Sequence, residues 1–187
     1  MPGPKVIFSM SVSLDGFVND PSGEIDWGAP DEELHRFHNE RVGELGGHLL
    51  GRRLYEVMTY WDTVEENPES AEVELEFARI WNPLPKVVFS TTLETVEGNA
   101  RLATGDVAEE VARLKEETGG DLGVGGATLA ATLIGQGLVD EFELFVCPVL
   151  LGAGTPYFPS VEARADLELV ETRTFASRVV FLRYRRP

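Results

Sequence analysis

The sequence predicts a single α/β domain spanning residues 1–187, built on a mainly parallel sheet with an antiparallel hairpin at its end. Three observations predict it. Apolar, β-rich segments alternate with amphipathic helical ones, the pattern of right-handed βαβ crossovers. Two strand-to-helix junctions pass through glycine, one at Gly51 and one at Gly125 and Gly126. The chain closes on two strand-like segments, 167–175 and 178–185, with Ala176 and Ser177 at the turn between them. A length of 187 residues suits one domain with a sizeable core, and no internal repeat or linker divides it.

The elements follow in order. Residues 6–12 (VIFSMSV) read as the first strand, and Leu14, Asp15 and Gly16 break it into a long loop reaching Pro30. From 31 to 45, Leu34, Phe37, His38, Val42 and Leu45 share one helical face, while Asp31, Glu32 and Glu33 suit the positive first turn. Residues 48–50 form a short buried strand, Gly51 a turn, and 52–60 (RRLYEVMTY) a helix opening with two cations. The acidic stretch 65–76 starts a helix in its second half, reaching Ile80; a solvated acidic face is its plain account, a lid or partner surface the functional one. Residues 86–90 (KVVFS) are the next strand. Asp106 is a helix N-cap with Glu109 three residues on, and Val107, Val111 and Leu114 form a stripe that stops at Gly119 and Gly120. A strand at 121–124, a helix at 127–136 and a strand at 139–146 precede a Gly- and Pro-rich loop at 148–159 and the hairpin.

Composition excludes several classes of function. The chain is 43% hydrophobic and 26% charged, as soluble globular proteins are, but Lys and Arg number 16 against 32 Asp and Glu, a net charge of −16. Such a surface repels nucleic-acid backbones and anionic membranes, so the expected partner is a small-molecule substrate. An anionic ligand then needs local help from helix ends and from Arg52 and Arg53. The lone Cys147 can close no intrachain disulfide and no multi-thiolate zinc site. Residues 1–8 (MPGPKVIF) lack the pattern of a signal peptide, and no apolar run reaches membrane-spanning length, which points to the cytoplasm.

The glycine junctions carry the functional signal. A strand feeding through glycine into a helix leaves backbone N–H groups unpaired at the positive end of the helix dipole, a place for phosphate. Two such sites side by side suit a dinucleotide. The plainer account is turn chemistry, because glycine takes positive φ without steric cost.

These blocks, in this order, resemble the dihydrofolate reductase-like superfamily, and within it the branch of the riboflavin-biosynthesis reductase domain. The resemblance rests on Ser13, Leu14, Asp15 and Gly16, on 50–56 (LGRRLYE), on 86–92, on Val124, Gly125, Gly126 and Ala127, and on 148–154 followed by Phe158 and Pro159. It implies a mixed sheet of about eight strands, an NADPH-dependent reductase, and a homodimer. By position it implies that Gly51, Arg52 and Arg53 meet the cofactor phosphates, and that Ser90, Thr91 and Thr92 hold the phosphate on the adenosine ribose. Gly125, Gly126, Ala127 and Thr128 would lie under the pyrophosphate and nicotinamide, the glycine pair joined by a cis peptide. Asp15 and Gly16 would belong to a loop closing over the nicotinamide. Aligning Leu34 and Phe37 with the first long helix of the family places Glu33 where an acid meets the substrate, so Glu33 and Asp15 are the candidate catalytic residues. A helix-end acid facing water is the other account of Glu33.

Trp27 and Phe37 are candidate walls for a flat heterocycle, with core packing as the alternative for Phe37. His35 and His38, three apart, have a metal-compatible spacing but no further convergent ligands, so no metal is expected. Arg36 and Arg79 are the cations available to a phosphorylated substrate. Residues 148–152 (PVLLG) lead away from true dihydrofolate reductases, and one cysteine cannot build the zinc deaminase half of the bifunctional riboflavin enzyme. The sequence therefore reads as an NADPH-dependent reductase of a small heterocyclic or carbonyl substrate, with a catalytically silent nucleotide-binding, oligomer-forming protein as the alternative.

Overall fold

The structure, a computed structural model, describes residues 3–160 and 164–187. Eight strands form one sheet: β1 (Val6–Ser13), β3 (Gly47–Gly51), β4 (Lys86–Phe89), β5 (Ala100–Leu102), β6 (Leu122–Gly125), β7 (Glu141–Cys147), β9 (Glu168–Thr174) and β10 (Val180–Arg185). Their order is β5-β4-β3-β6-β1-β7-β10-β9. All neighbours from β5 to β7 pair in parallel, and β10 runs antiparallel to both β7 and β9. The expected α/β class, about eight strands, mainly parallel pairing and terminal hairpin are all present. The helices are α1 (Glu32–Gly43), α2 (Arg52–Met58), α3 (Glu72–Trp81), α4 (Val107–Thr118) and α5 (Ala127–Gly135).

Local chemistry accounts for the boundaries. Asp31 accepts from Leu34 N and caps α1, and Asp106 and Glu109 form a reciprocal capping box on α4. Gly119 ends α4 in the left-handed region, φ 65°. The sequence reading omitted three short strands: β5, and the pair β2 (Phe17–Asn19) and β8 (Thr155–Pro156), which join the two loops expected to be irregular. None is long enough to show a period of two.

Packing divides into three clusters. Val6, Phe8 and Val12 of β1 lie with Leu133 of α5 and Leu114 of α4 on one face of the sheet. Leu34 and Phe37 of α1 pack with Phe145, Phe175 and Phe181 at the hairpin end. Leu50, Tyr55, Phe77, Trp81 and Val88 join α2 and α3 to β3 and β4. The buried carboxylates of β7 are paired. Glu141 takes Lys5 and Arg183 at 2.6 Å each, and Glu143 takes Arg41.

Glu110 of α4 is fully buried and accepts from Thr104 N at 2.7 Å and Gly105 N at 3.1 Å, with the Arg101 guanidinium 2.7 Å away. Burial by itself would raise this carboxyl, but those donors outweigh it and bring it to about 2. A depressed carboxyl contributes stability above its unfolded value, near 4.5, and loses it as pH falls toward 2. Glu110→Gln should therefore cost about 1–3 kcal/mol at neutral pH by leaving buried donors poorly matched. Urea titrations at a series of pH values should show the gap between variant and wild type closing below the ordinary carboxylate range.

Candidate functional site

The carboxyl ends of four adjacent parallel strands collect the residues singled out in the sequence. In sheet order these are Ser90, Thr91 and Thr92 after β4, Gly51, Arg52 and Arg53 after β3, Gly125 and Gly126 closing β6, and Asp15 and Gly16 after β1. With strands about 4.8 Å apart, four neighbouring ends span roughly 14 Å. The chain order reverses here, since β6 returns between β3 and β1, and such switch points open a crevice at the carboxyl edge.

The two glycine turns touch. A β-carbon on Gly126 would lie 3.6 Å from Gly51 N and 3.7 Å from Gly51 Cα, and one on Gly51 would lie 3.9 Å from Gly125 O. Gly126 takes φ 101° and Gly51 is extended, and each is the N-cap of its helix, α5 and α2, with no side-chain capping bond. The aspartates that cap α1 and α4 have no counterpart at this edge. First-turn N–H groups are thus left to solvent or ligand. The expected cis peptide within the glycine pair is corrected: the described residues contain no cis peptide bond, and the positive φ of Gly126 makes the turn instead.

Around this seam, Arg52 and Arg53 are exposed, and Arg52 lies 3.3 Å from Glu56 one turn along its helix. Thr91, Thr92 and Thr128 are exposed, and Ala127 is half-buried. Ser90 Oγ accepts from Thr92 N at 3.1 Å and Leu93 N at 3.0 Å, so it shapes the turn after β4.

The carboxylates expected to be catalytic have other work. Asp15 accepts from Ser13 Oγ at 2.7 Å, Leu151 N at 3.1 Å and Gly152 N at 2.7 Å, clamping the loop after β1 to the one after β7. The bonds from Ser13, Leu151 and Gly152 lower its pKa, so it stays an ionised acceptor rather than a proton donor. Gly16, φ 96°, completes that turn, and its carbonyl accepts from Tyr157 N. Glu33 accepts from Arg173 Nη2 at 3.2 Å and Ala176 N at 3.1 Å, which ties α1 to the terminal hairpin. Phe37 is a core residue, 7% exposed, with its ring 5.0 Å from that of Phe181. Trp27 packs against the same cluster and donates to Glu24 O. Core packing accounts for Phe37, because its helix face meets β7 and β10. Arg36 and Arg79 are exposed and paired with Glu32 and Glu72.

Between α1 and the sheet lies a cavity of about 270 Å³. Its floor includes Ser9 of β1, Gly123 of β6 and His48 of β3, and its walls include His35 and His38 of α1, Trp61 and Phe77. Gly123 and Gly125 share one face of β6, so this floor runs along the strand toward the glycine turn. A β-carbon on Gly123 would lie 2.5 Å from His48 Cδ2 and 2.8 Å from Leu45 Cδ1, and one on Gly125 would strike Leu54. The imidazoles are held neutral: burial pulls His38 and His48 down to about 4, and burial also lowers His35. His35 and His38 carried a visible i,i+3 spacing, but His48 and Trp61 gave no sequence signal because only tertiary packing brings them here. Among the described residues, no group of three His, Cys, Asp or Glu could hold a metal ion.

Known proteins share this architecture. The chain matches the RibD C-terminal domain family over residues 4–181. The uncharacterised protein YyaP of Bacillus subtilis is 35% identical over 181 residues, covering 96% of this chain and 94% of that protein. A second uncharacterised Bacillus subtilis protein, YwjB, is 28% identical, covering 94% of each. Among solved structures, a putative riboflavin biosynthesis protein of Shewanella sp. PV-4 superposes with a TM-score of 0.76 at 21% identity, covering 98% of this chain and 99% of that one. The Thermotoga maritima diaminohydroxyphosphoribosylaminopyrimidine deaminase/5-amino-6-(5-phosphoribosylamino)uracil reductase gives 0.66 at 17% identity, with 99% of this chain on 57% of the larger protein.

The glycine face of β6 is directly testable. Gly123→Ala must displace His48 and Leu45, which overpacks the floor and should cost about 1–3 kcal/mol. Urea unfolding of the variant measures it; an unchanged midpoint would contradict the packing described.

Proposed function

The chain belongs to the RibD C-terminal domain family, related to the riboflavin-biosynthesis reductases, and from that premise we propose that it is an NADPH-dependent reductase of a small heterocyclic or carbonyl substrate. The observation that carries the reading is the contact between the Gly51 and Gly126 turns, a cradle that β-carbons would fill, at the head of two uncapped helices. A diphosphate fits such a cradle: unpaired N–H groups donate to it, and Arg52 and Arg53 supply positive charge within an otherwise acidic protein. When bound, reduced nicotinamide would supply the hydride. The protein's part is to orient and to exclude water. In this reading Ser90, Thr91, Thr92 and Arg52 hold the adenosine end, Ala127 and Thr128 flank the glycine turn, and the Asp15 clamp fixes the loops over the β1 end of the edge.

A second reading is a nucleotide-binding protein without catalysis. It is favoured by one observation: Asp15 and Glu33 are both engaged in structural bonds, so neither is a free acid. Binding without turnover across folate, pterin and pyrimidine substrates would select it.

NADPH titration followed by nicotinamide fluorescence should saturate in the micromolar range, and no binding at high micromolar concentration would remove both readings. Arg52→Ala should weaken NADPH binding about tenfold and NADH binding less than about twofold, because a guanidinium facing the extra phosphate is lost. Equal losses for the two cofactors would refute that role.

A further inference from the structure

The cavity beneath α1 has walls of a definite chemistry. Its aromatic side is continuous: the Trp61 and Phe77 rings lie 4.5 Å apart, with His35 5.8 Å from Trp61 and 5.9 Å from Phe77. Further along α1 the His38 ring lies 4.2 Å from that of Phe145, tilted by 43°. Aromatic rings from α1, α3, β7 and the segment after α2 therefore line the space, a surround that suits a planar ring.

The charged groups lining it are already spent on one another. Arg41 pairs with Glu143 and, at 2.7 Å, with Glu44, while Arg183 pairs with Glu141 at 2.6 Å. Counting Glu44, Asp121 and Glu143 against Arg41 and Arg183, the lining carries one more carboxylate than guanidinium. A phosphate entering here would meet no unpaired cation and a net negative wall. The volume, about 270 Å³, lies just below the range of roughly 300–1,000 Å³ typical of drug-sized ligands. The imidazoles of His35 and His38 make no hydrogen bond to other described side chains or backbone, and the buried Nε of Arg41 is without an acceptor. A carbonyl or ring nitrogen of a ligand can answer such donors.

We propose that this cavity takes an uncharged, planar ring compound bearing a carbonyl or ring nitrogen, hydrogen-bonded to His38 between the Phe145 and Trp61 walls, and that it rejects phosphorylated pyrimidines. The inference rests on the reductase reading and assigns that reductase's substrate to this cavity, floored by the glycine strand. It makes the substrate of this chain different in charge from the phosphoribosylamino compound named for the Thermotoga maritima enzyme. His38 acts as a specificity-determining residue: a neutral imidazole can donate to a carbonyl without attracting an anion.

Calorimetric titration with quinazolin-4-one, an uncharged bicyclic lactam near neutral pH, and with uridine 5′-monophosphate tests the proposal. The lactam should bind measurably and at least about tenfold more tightly than the nucleotide. His38→Leu should weaken the lactam about tenfold, His38→Gln should retain most of the affinity, and NADPH affinity should be unchanged in both. If His38→Leu does not fold, Trp61→Ala, which removes an aromatic wall, should give the same loss. Tighter binding of the nucleotide, no binding of the lactam to a protein that binds NADPH, or indifference of the lactam to these substitutions would overturn the proposal. Failure of NADPH to bind would remove the reductase reading alone, and the lactam titration would still decide the chemistry of the cavity.

Discussion

The strand β6 has one face on which no β-carbon can stand. At Gly123 a methyl group would collide with His48 and Leu45 and at Gly125 with Leu54, while at Gly126, just past the strand, the positive φ of 101° is what favours glycine. This constraint lets β3 and α2 lie close over β6, and it brings two strand-to-helix turns into contact at the carboxyl edge. The same bare face floors the cavity under α1, so the ligand-sized space and the amide-rich edge are two ends of one feature.

Electrostatics reinforce that division. The chain carries a net charge of −16, which disfavours anions almost everywhere on its surface. The carboxyl edge departs from this locally through Arg52, Arg53 and uncapped helix starts, whereas the cavity does not: its guanidiniums are neutralised by Glu44, Glu141 and Glu143. An anionic cofactor at the edge beside an uncharged ring in the cavity is the pairing these fields allow. Histidines kept neutral by burial fit the second half of it, since an imidazolium there would draw anions in.

Much of the fold was legible because its determinants are local. Asp106, Glu109 and Gly119 announce their helix ends by capping chemistry, the acids at 31–33 announce a helix start by charge, and the glycines closing β3 and β6 announce their turns. The short strands β2, β5 and β8 were not legible, because two or three residues hold no period and their pairing is decided by distant partners. The carboxyl edge could be assembled from the glycine junctions and from the blocks that carry the family resemblance. The cavity could not: alignment on Leu34 and Phe37 pointed to Glu33, yet those apolar residues are drawn to the aromatic cluster of β7 and β10, which carries Glu33 onto Arg173 and the hairpin. His35 and His38, one step around the helix, then face the cavity instead. Asp15 likewise sits at the predicted loop, but its oxygens are consumed by Ser13, Leu151 and Gly152.

The contact between the Gly51 and Gly126 turns is the feature on which the functional account stands. A crystal structure of the protein with NADPH soaked in would examine it most directly. The account expects diphosphate density over the amides that open α2 and α5, with the nicotinamide directed along the glycine face toward the cavity. Density for the cofactor elsewhere on the molecule, with this edge intact and empty, would contradict it.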